Sequence, residues 1–384
     1  MRLLMISPQY YPIVGGYERA AQRLSEALVS LGHEVIVISE RRQHDWPTAE
    51  VLDGVQVRRL WCLYRSGLHS LTSLFSLALF LLRNGRRFDA WHVHKYGLHA
   101  ALASALGILL GRPVVLKLAS SAGQGLQRVT AEGRFAVMTG FLLRHVSAVV
   151  ALTRETAGEA AAFGIPGERV HTLGNGIDCA NFSPQDAAAK GRMKRLLGLG
   201  EANIIISIGR LSEEKNPHGL LHAWEIARDL LSSDWILVLV GDGPMRIRVE
   251  SIILDRSLTD RVRVVGQQEN IAQWMGAGDI YVLSSTNEGL SNTLLEAMAC
   301  GLPVAATRVS GVSELVEESR AGLAVDVGDM DALGQALVRL GCDASLCAQM
   351  GSRGRRVVEG RYAIEPVAAA HEALYRRLIA DRAR

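Results

Sequence analysis

The sequence predicts an α/β protein made of two doubly wound domains. At 384 residues the chain is long enough for two hydrophobic cores of ordinary size. Short apolar runs of strand length alternate with helical segments through both halves, the pattern of parallel sheets covered by helices. Several of these runs end in polar or Gly-containing loops that lead into a helix, the place where an open parallel sheet binds its ligands.

Composition narrows the function classes. With 48% hydrophobic and 21% charged residues the chain reads as an ordinary globular protein. The net charge of +3 hides an asymmetry: residues 1–180 hold 19 Lys+Arg against 13 Asp+Glu, and residues 181–384 hold 23 against 26. A moderately basic first half suits an anionic surface or acceptor and is too weak for nucleic acid, for which no motif is present. The five cysteines form no C-x-x-C pair and no Cys/His metal spacing, which points to reduced thiols in the cytoplasm. The opening apolar run is too short for a signal peptide, and no apolar stretch reaches the roughly 20 residues that span a bilayer.

In the first half, residues 2–6 suit a parallel strand, and a helix is expected from about Tyr17 to Leu31, ended by Gly32. Gly15 and Gly16 at its entry let backbone N–H groups approach an anion, although a plain Gly turn has the same sequence. Leu31 to Ile38 supplies the second strand. Ser70 to Leu82 is apolar and followed by Arg83, Arg86 and Arg87. It reads as a helix of the sheet's outer layer, or alternatively as an interfacial helix on an anionic membrane surface. Phe88 to Gly97 sets His92, His94 and Lys95 at a strand end, without a third ligand for a metal. Further strands are read at Pro113 to Leu118, Ser147 to Leu152 and Val170 to Leu173. Residues 179–200 connect the halves.

In the second half, the strand Ile204 to Ile208 runs into GRLSEEKN, and Pro217 suits a first helical position. Arg210 and Lys215 beside a helix N-terminus are the right groups for a diphosphate. Trp235 to Val240 ends in Gly241-Asp242-Gly243-Pro244, which lacks the third glycine of a dinucleotide fingerprint because Arg246 stands there. Val262 to Gly266 is a further strand, and Gln267 to Asn270 its loop. After the strand Ile280 to Leu283 comes SSTNEGLSNTLLEAMACG, in which Thr293 and Glu296 have capping-box spacing before a helix apolar nearly all round. Gly301 suits its C′ position and Pro303 forbids continuation. Asp329 and Asp331 spell D-x-D, better explained as the cap of a helix over 332–340.

Glu288 and Glu296, as E-x7-E inside EGLSNTLLEAMACGLPVAAT, resemble the donor-site signature of the retaining family-four glycosyltransferases. GRLSEEKN resembles that family's phosphate clamp, FDAWHVHKYG its DvvHvH segment, and NGID (175–178) the turn that closes its first domain. The resemblance implies a GT-B architecture, two Rossmann-like domains facing across a cleft. They would divide as residues 1–180 (acceptor side), 181–362 (donor side) and 363–384, a helix crossing back to the first domain. It implies a UDP- or GDP-sugar donor and a glycan, lipid-linked or small-molecule acceptor, with no metal, no cofactor and no nucleic acid. Arg210, Lys215 and Glu288 would be catalytic. Gly15, Gly16, Arg210, Lys215, Glu288, Gly289, Leu290, Ser291, Asn292, Thr293 and Glu296 would bind the donor, Glu296 holding the ribose. His92, His94, Lys95 and Lys117 would lie on the acceptor side. One position departs from the pattern: where many relatives have a His next to the donor sugar, this chain has Ala119, and Lys117 or the loop Ser120 to Gly125 would fill the gap. A nucleotide-sugar epimerase of the same fold and a non-catalytic nucleotide-sugar binder are the alternatives. The expected location is cytoplasmic, peripheral at the inner face of the plasma membrane if Leu71 to Arg87 is interfacial.

Overall fold

A computed structural model describes residues 1–13, 15–118 and 136–383. They form two compact units, Met1–Gly176 with Ile364–Arg384, and Ile177–Ala363.

The first unit is built on eight strands: β1 (Arg2–Ile6), β2 (Glu34–Arg41), β3 (Ala49–Leu52), β4 (Val55–Trp61), β5 (Ala90–His94), β6 (Val114–Leu118), β7 (Ala148–Ala151) and β8 (Val170–Thr172). Their order is β3-β4-β2-β1-β5-β6-β7-β8, and every pairing is parallel except β3 with β4. The helices are α1 (Gly16–Ser30), α2 (His69–Asn84), α3 (Leu98–Leu110), α4 (Ala136–Arg144), α5 (Arg154–Ala162) and, from the far end of the chain, the helix Ile364–Ala383. The two faces of the sheet bury separate cores, as the period of two along a strand requires. Leu4 and Ile6 of β1 join Trp91, Leu116 and Phe163 on one face, while Leu3 and Met5 join Val37, Val115 and Tyr375 on the other. Burial on both faces is why β6, VVLKL, is apolar at all but one position. The β3–β4 hairpin has no counterpart among the strands read from the sequence. It turns at Asp53 and Gly54, both left-handed at φ 49° and 81°, the conformation that Asp-Gly pairs favour in two-residue hairpins.

The second unit has six parallel strands, β9 (Asn203–Ile208), β10 (Trp235–Val240), β11 (Val262–Gly266), β12 (Ile280–Leu283), β13 (Val304–Thr307) and β14 (Gly322–Val325), in the order β11-β10-β9-β12-β13-β14. Its helices are α6 (Ala187–Leu196), α7 (Pro217–Leu230), α8 (Arg246–Asp255), α9 (Ile271–Ala277), α10 (Asn292–Ala299), α11 (Met330–Cys342) and α12 (Ala344–Arg361); Ile364–Ala383 is α13. Pro217 opens α7 at its first position. Asn216, Asn270, Asp329 and Asp343 each cap the helix that follows through a side-chain oxygen.

Candidate functional site

In the second sheet β9 lies between β10 and β12, so the strand order reverses there. The crevice at such a reversal, at the carboxyl ends of the strands, is where open α/β sheets take ligands. The loops that follow β9 and β12 are the two that carry Arg210, Lys215 and Glu288.

Backbone contacts fix the first loop. Gly209 N donates to Val240 O at 3.0 Å, Leu211 N to Asp242 O at 2.9 Å, and Met245 N to Leu211 O at 3.0 Å. The loop after β10 thereby backs the Arg210 loop, and this needs Gly241. Its φ is +146°, and a Cβ there would stand 1.9 Å from Gly209 O. Short hydrogen bonds then tie the β9 loop to the β12 loop. Ser284 Oγ donates to Lys215 O at 2.9 Å, and Thr286 N donates to Glu214 O at 2.8 Å. Lys215 Nζ forms an ion pair with Glu288 Oε1, and Ser285 Oγ donates to the same oxygen at 2.8 Å. Thr307 Oγ1 holds Ser285 in turn, donating to its carbonyl at 2.6 Å. Arg210 is exposed, and its guanidinium has no ion pair among the described residues. With Lys215, Ser284 and Ser285 it lines a small cavity of about 20 Å³. Ser284, Ser285 and the Gly241-Asp242-Gly243 loop build the site without being among the candidate site residues read from the sequence. Their position at strand ends was the available signal.

The helix after β12 differs from expectation at its cap. Ser291 is the N-cap of α10, its Oγ accepting from Leu294 N at 3.4 Å. Thr293 is the second helical residue, and its hydroxyl lies 2.8 Å from that of Tyr281. Thr293 and Glu296 therefore form no capping box. A box needs its acid at the third helical position, and Glu296 is the fifth, 1% exposed among apolar neighbours. Gly289 and Leu290 lead into this cap from Glu288, and Asn292 is the first helical residue. Gly301 follows the helix at φ +72°, as its expected C′ role requires.

The remaining site residues belong to the first unit. Gly15 is the N-cap of α1 in ordinary extended backbone, and Gly16 is its first residue. A Cβ on Gly15 would stand 2.4 Å from Glu18 Oε2. Burial raises the Glu18 carboxyl above the usual range. A cavity of about 290 Å³ opens beside it, lined by residues that include Gln9, Glu18, Glu40, Arg42, His94 and Lys95. Of the acceptor-side residues, His94 and Lys95 line this cavity; His92 and Lys117 do not. The His92 and His94 rings stack at 4.5 Å, His371 of α13 lies 5.6 Å from His92, and His92 Nδ1 shares a 2.6 Å hydrogen bond with Tyr375 OH. Burial holds His92 and His94 well below the ordinary histidine range, lowers His371 to about 4, and lowers Lys117 to about 8. Ala119 and the loop Ser120 to Gly125 lie outside the described residues.

The two aspartates of D-x-D meet different partners. Asp329 Oδ1 accepts from Ala332 N at 2.9 Å as a cap, and Asp331 meets His222 Nε2 at 2.9 Å. Among the described residues one trio, Glu40, Cys62 and His69, brings ligand atoms within 4.8 Å of one another. Its Glu40 carboxylate is already held by Arg42 at 2.8 Å and by Ser73 Oγ at 2.7 Å.

Comparison with known proteins matches both units. Residues 15–176 match the "Glycosyl transferase 4-like domain" and residues 192–357 "Glycosyl transferases group 1". The chain is 25% identical over 383 residues to the N-acetyl-alpha-D-glucosaminyl L-malate synthase of Bacillus anthracis, covering 98% of each chain. It is 32% identical over 249 residues to the lipopolysaccharide core biosynthesis mannosyltransferase LpsB of Rhizobium meliloti, 62% of this chain and 68% of that one. The crystal structure of Anabaena HepE in complex with UDP-glucose superposes with a TM-score of 0.78 at 20% identity, covering 97% and 99% of the two chains, a likeness of fold. The chain belongs to the group 1 glycosyl transferases and is a glycosyltransferase of the GT-B fold.

Proposed function

We propose that the chain moves a sugar from a UDP- or GDP-sugar to a hydroxyl of a glycan, lipid-linked or small-molecule acceptor, with retention of configuration and without a metal. One observation carries this reading: the β9 and β12 loops bring Arg210, Lys215 and Glu288 together at the entrance to α10, on which Glu296 is buried. The anomeric C–O bond to the diphosphate breaks and a bond to the acceptor oxygen forms on the same face. The acceptor proton passes to the departing phosphate oxygen, so no side-chain base is required. Charge that develops on the diphosphate needs fixed positive groups, and Arg210, Lys215 and the N-terminus of α10 supply them. Arg210 has no ion pair to give up among the described residues, whereas Lys215 must exchange Glu288 for phosphate oxygens. Anabaena HepE crystallised in complex with UDP-glucose, and the Bacillus anthracis enzyme is named for joining a glucosaminyl group to L-malate; both fit a nucleotide-sugar transferase.

The test is turnover with EDTA present and with Arg210→Ala. Hydrogen bonds to charged groups contribute about 1.5–3 kcal/mol, so Arg210→Ala should lower kcat/KM by roughly 10- to 150-fold while EDTA changes nothing. NMR of the first-formed product should show the donor's anomeric configuration. Activity lost to EDTA and restored by Mg²⁺ or Mn²⁺, or an inverted product, would overturn the mechanism.

A membrane location rests on a separate observation. Only Leu77 and Leu81 of α2 are buried, while Leu71, Phe75 and Leu82 are 66%, 65% and 53% exposed. Arg83, Arg86 and Arg87 beyond them are exposed too. Among the described residues no helix is long and apolar enough to cross a membrane. A peripheral position on an anionic leaflet is the reading this face supports, with the five free cysteines suited to the cytoplasmic side.

A further inference from the structure

Glu288 sits in a loop without helix or strand, between Leu283 at the end of β12 and Asn292 at the start of α10. No repeating backbone conformation aims its carboxylate, so bonds to the side chain must. Two of them converge on Oε1, one from the Lys215 ammonium and one from the Ser285 hydroxyl. These donors differ in how firmly they are held. The Lys215 side chain is a flexible stem, 27% exposed, and its charge suits a phosphate as well as a carboxylate. Ser285 is fully buried, and its hydroxyl hangs on a single carbon.

The backbone around Ser285 is fixed on every side. Leu283 pairs with Ala306 across β12 and β13, which sets Thr307 beside the loop. Thr307, itself buried, donates from Oγ1 to the Ser285 carbonyl at 2.6 Å. On one flank Ser284 Oγ donates to the carbonyls of Lys215 and Asn216 at 2.9 and 3.3 Å. On the other, Thr286 N donates to Glu214 O at 2.8 Å. The neighbours of Ser285 thus bind the Lys215 loop, while Ser285 itself gives its one hydroxyl proton to the carboxylate.

We infer that Ser285 is the positioning residue of Glu288, keeping that carboxylate in the site once Lys215 has passed to the donor's diphosphate. In the free protein Glu288 stands on Lys215 where phosphate oxygens would. When they arrive, the carboxylate loses its ion pair and faces like charge, and the buried hydroxyl is the donor that stays. This inference rests on the transferase reading.

The experiment compares wild type with Ser285→Ala, and with Ser285→Thr and Ser285→Val, a pair of one shape that differs only in the hydroxyl. UDP and GDP are titrated into the full chain by calorimetry, and kcat is measured with the nucleotide sugar that the wild type uses. A hydrogen bond to a charged group contributes roughly tenfold or more, so kcat should fall by that factor in Ser285→Ala. Ser285→Thr should exceed Ser285→Val by a like factor, and affinity for the nucleoside diphosphate should stay within a few-fold throughout. If neither β-branched variant folds, Ser285→Ala decides. Glu288→Gln should bind the nucleoside diphosphate several-fold more tightly, a gain that disappears when Lys215→Ala is added. Unmoved kcat in Ser285→Ala, a loss matched by an equal loss of nucleoside diphosphate affinity, or equal turnover by the Thr and Val variants would overturn the positioning role. Unchanged or looser binding by Glu288→Gln would overturn the exchange on Lys215. A wild type that binds neither nucleotide and transfers no sugar is a different failure, that of the transferase reading.

Discussion

His371 makes an energetic cost measurable at the level of one residue. Its imidazole is fully buried beside His92, His94 and Lys117, and burial lowers it from the ordinary 6.5 to about 4. Between those values the unfolded chain binds a proton that the folded chain refuses, so stability must fall as pH drops from 6.5 toward 4. The linkage amounts to about 2 kcal/mol between pH 7.5 and 5, and His92 and His94 push the same way. Urea titrations at the two pH values should show that loss in the wild type and a smaller one in His371→Gln. Equal losses would mean that His371 is not held neutral. The sequence pointed to His92 and His94 as a pair at a strand end, but not to His371, which lies 277 residues beyond His94 and reaches it only through the fold. Glu296 shows a similar limit. Its helix was legible from the apolar run, whereas the cap fell on Ser291 because Tyr281, on the preceding strand, engages the Thr293 hydroxyl.

At the scale of elements, strands buried on both faces were the most legible, since their apolar runs admit few other readings. The β3–β4 hairpin escaped because β3 is half exposed and carries no strong period, although Asp53-Gly54 was a usable turn signal. The segment over α2 was ambiguous for a physical reason: a short apolar run can be buried by protein or by lipid. In the fold α2 has a stripe of each kind, one entering the core and another facing outward. The helices beside it expose apolar residues as well: α2 packs on α3 and α3 on α4, with Leu109 68% and Phe141 59% exposed. An apolar face of this breadth flanked by exposed arginines should bind vesicles of anionic lipid, with affinity falling as salt screens the charges. Co-sedimentation should show this binding and its loss in Leu71→Ser/Phe75→Ser. Equal binding to neutral vesicles, or none to either, would leave the face without a lipid role.

At the scale of the whole molecule, the order of the chain and the order of the folding units differ. The second unit, Ile177–Ala363, has a core drawn from its own residues, centred on Trp224, Leu237 and Leu337. The first unit is incomplete until the last helix has been made. Ala368, Leu374 and Tyr375 of α13 belong to the same core as Leu3, Met5, Val37 and Val115, and Tyr375 OH closes on His92 Nδ1. The terminal segment was legible as a helix, but nothing in its own residues says which sheet it completes. Full burial of a large apolar side chain contributes about 1.5–3 kcal/mol, and a domain is stable by only about 5–15 kcal/mol. Val367, Leu374 and Tyr375 together therefore supply a share comparable with the whole margin of the first unit. A chain stopped after Ala363 should bind a hydrophobic dye and lose the cooperative melting of residues 1–176, while residues 177–363 keep protected amides in hydrogen exchange. Tyr375→Phe, which keeps the ring and deletes only the hydroxyl on His92, should cost far less, about 1 kcal/mol. If the truncated chain melts like the full one, the core assigned to α13 is not what holds the first unit together.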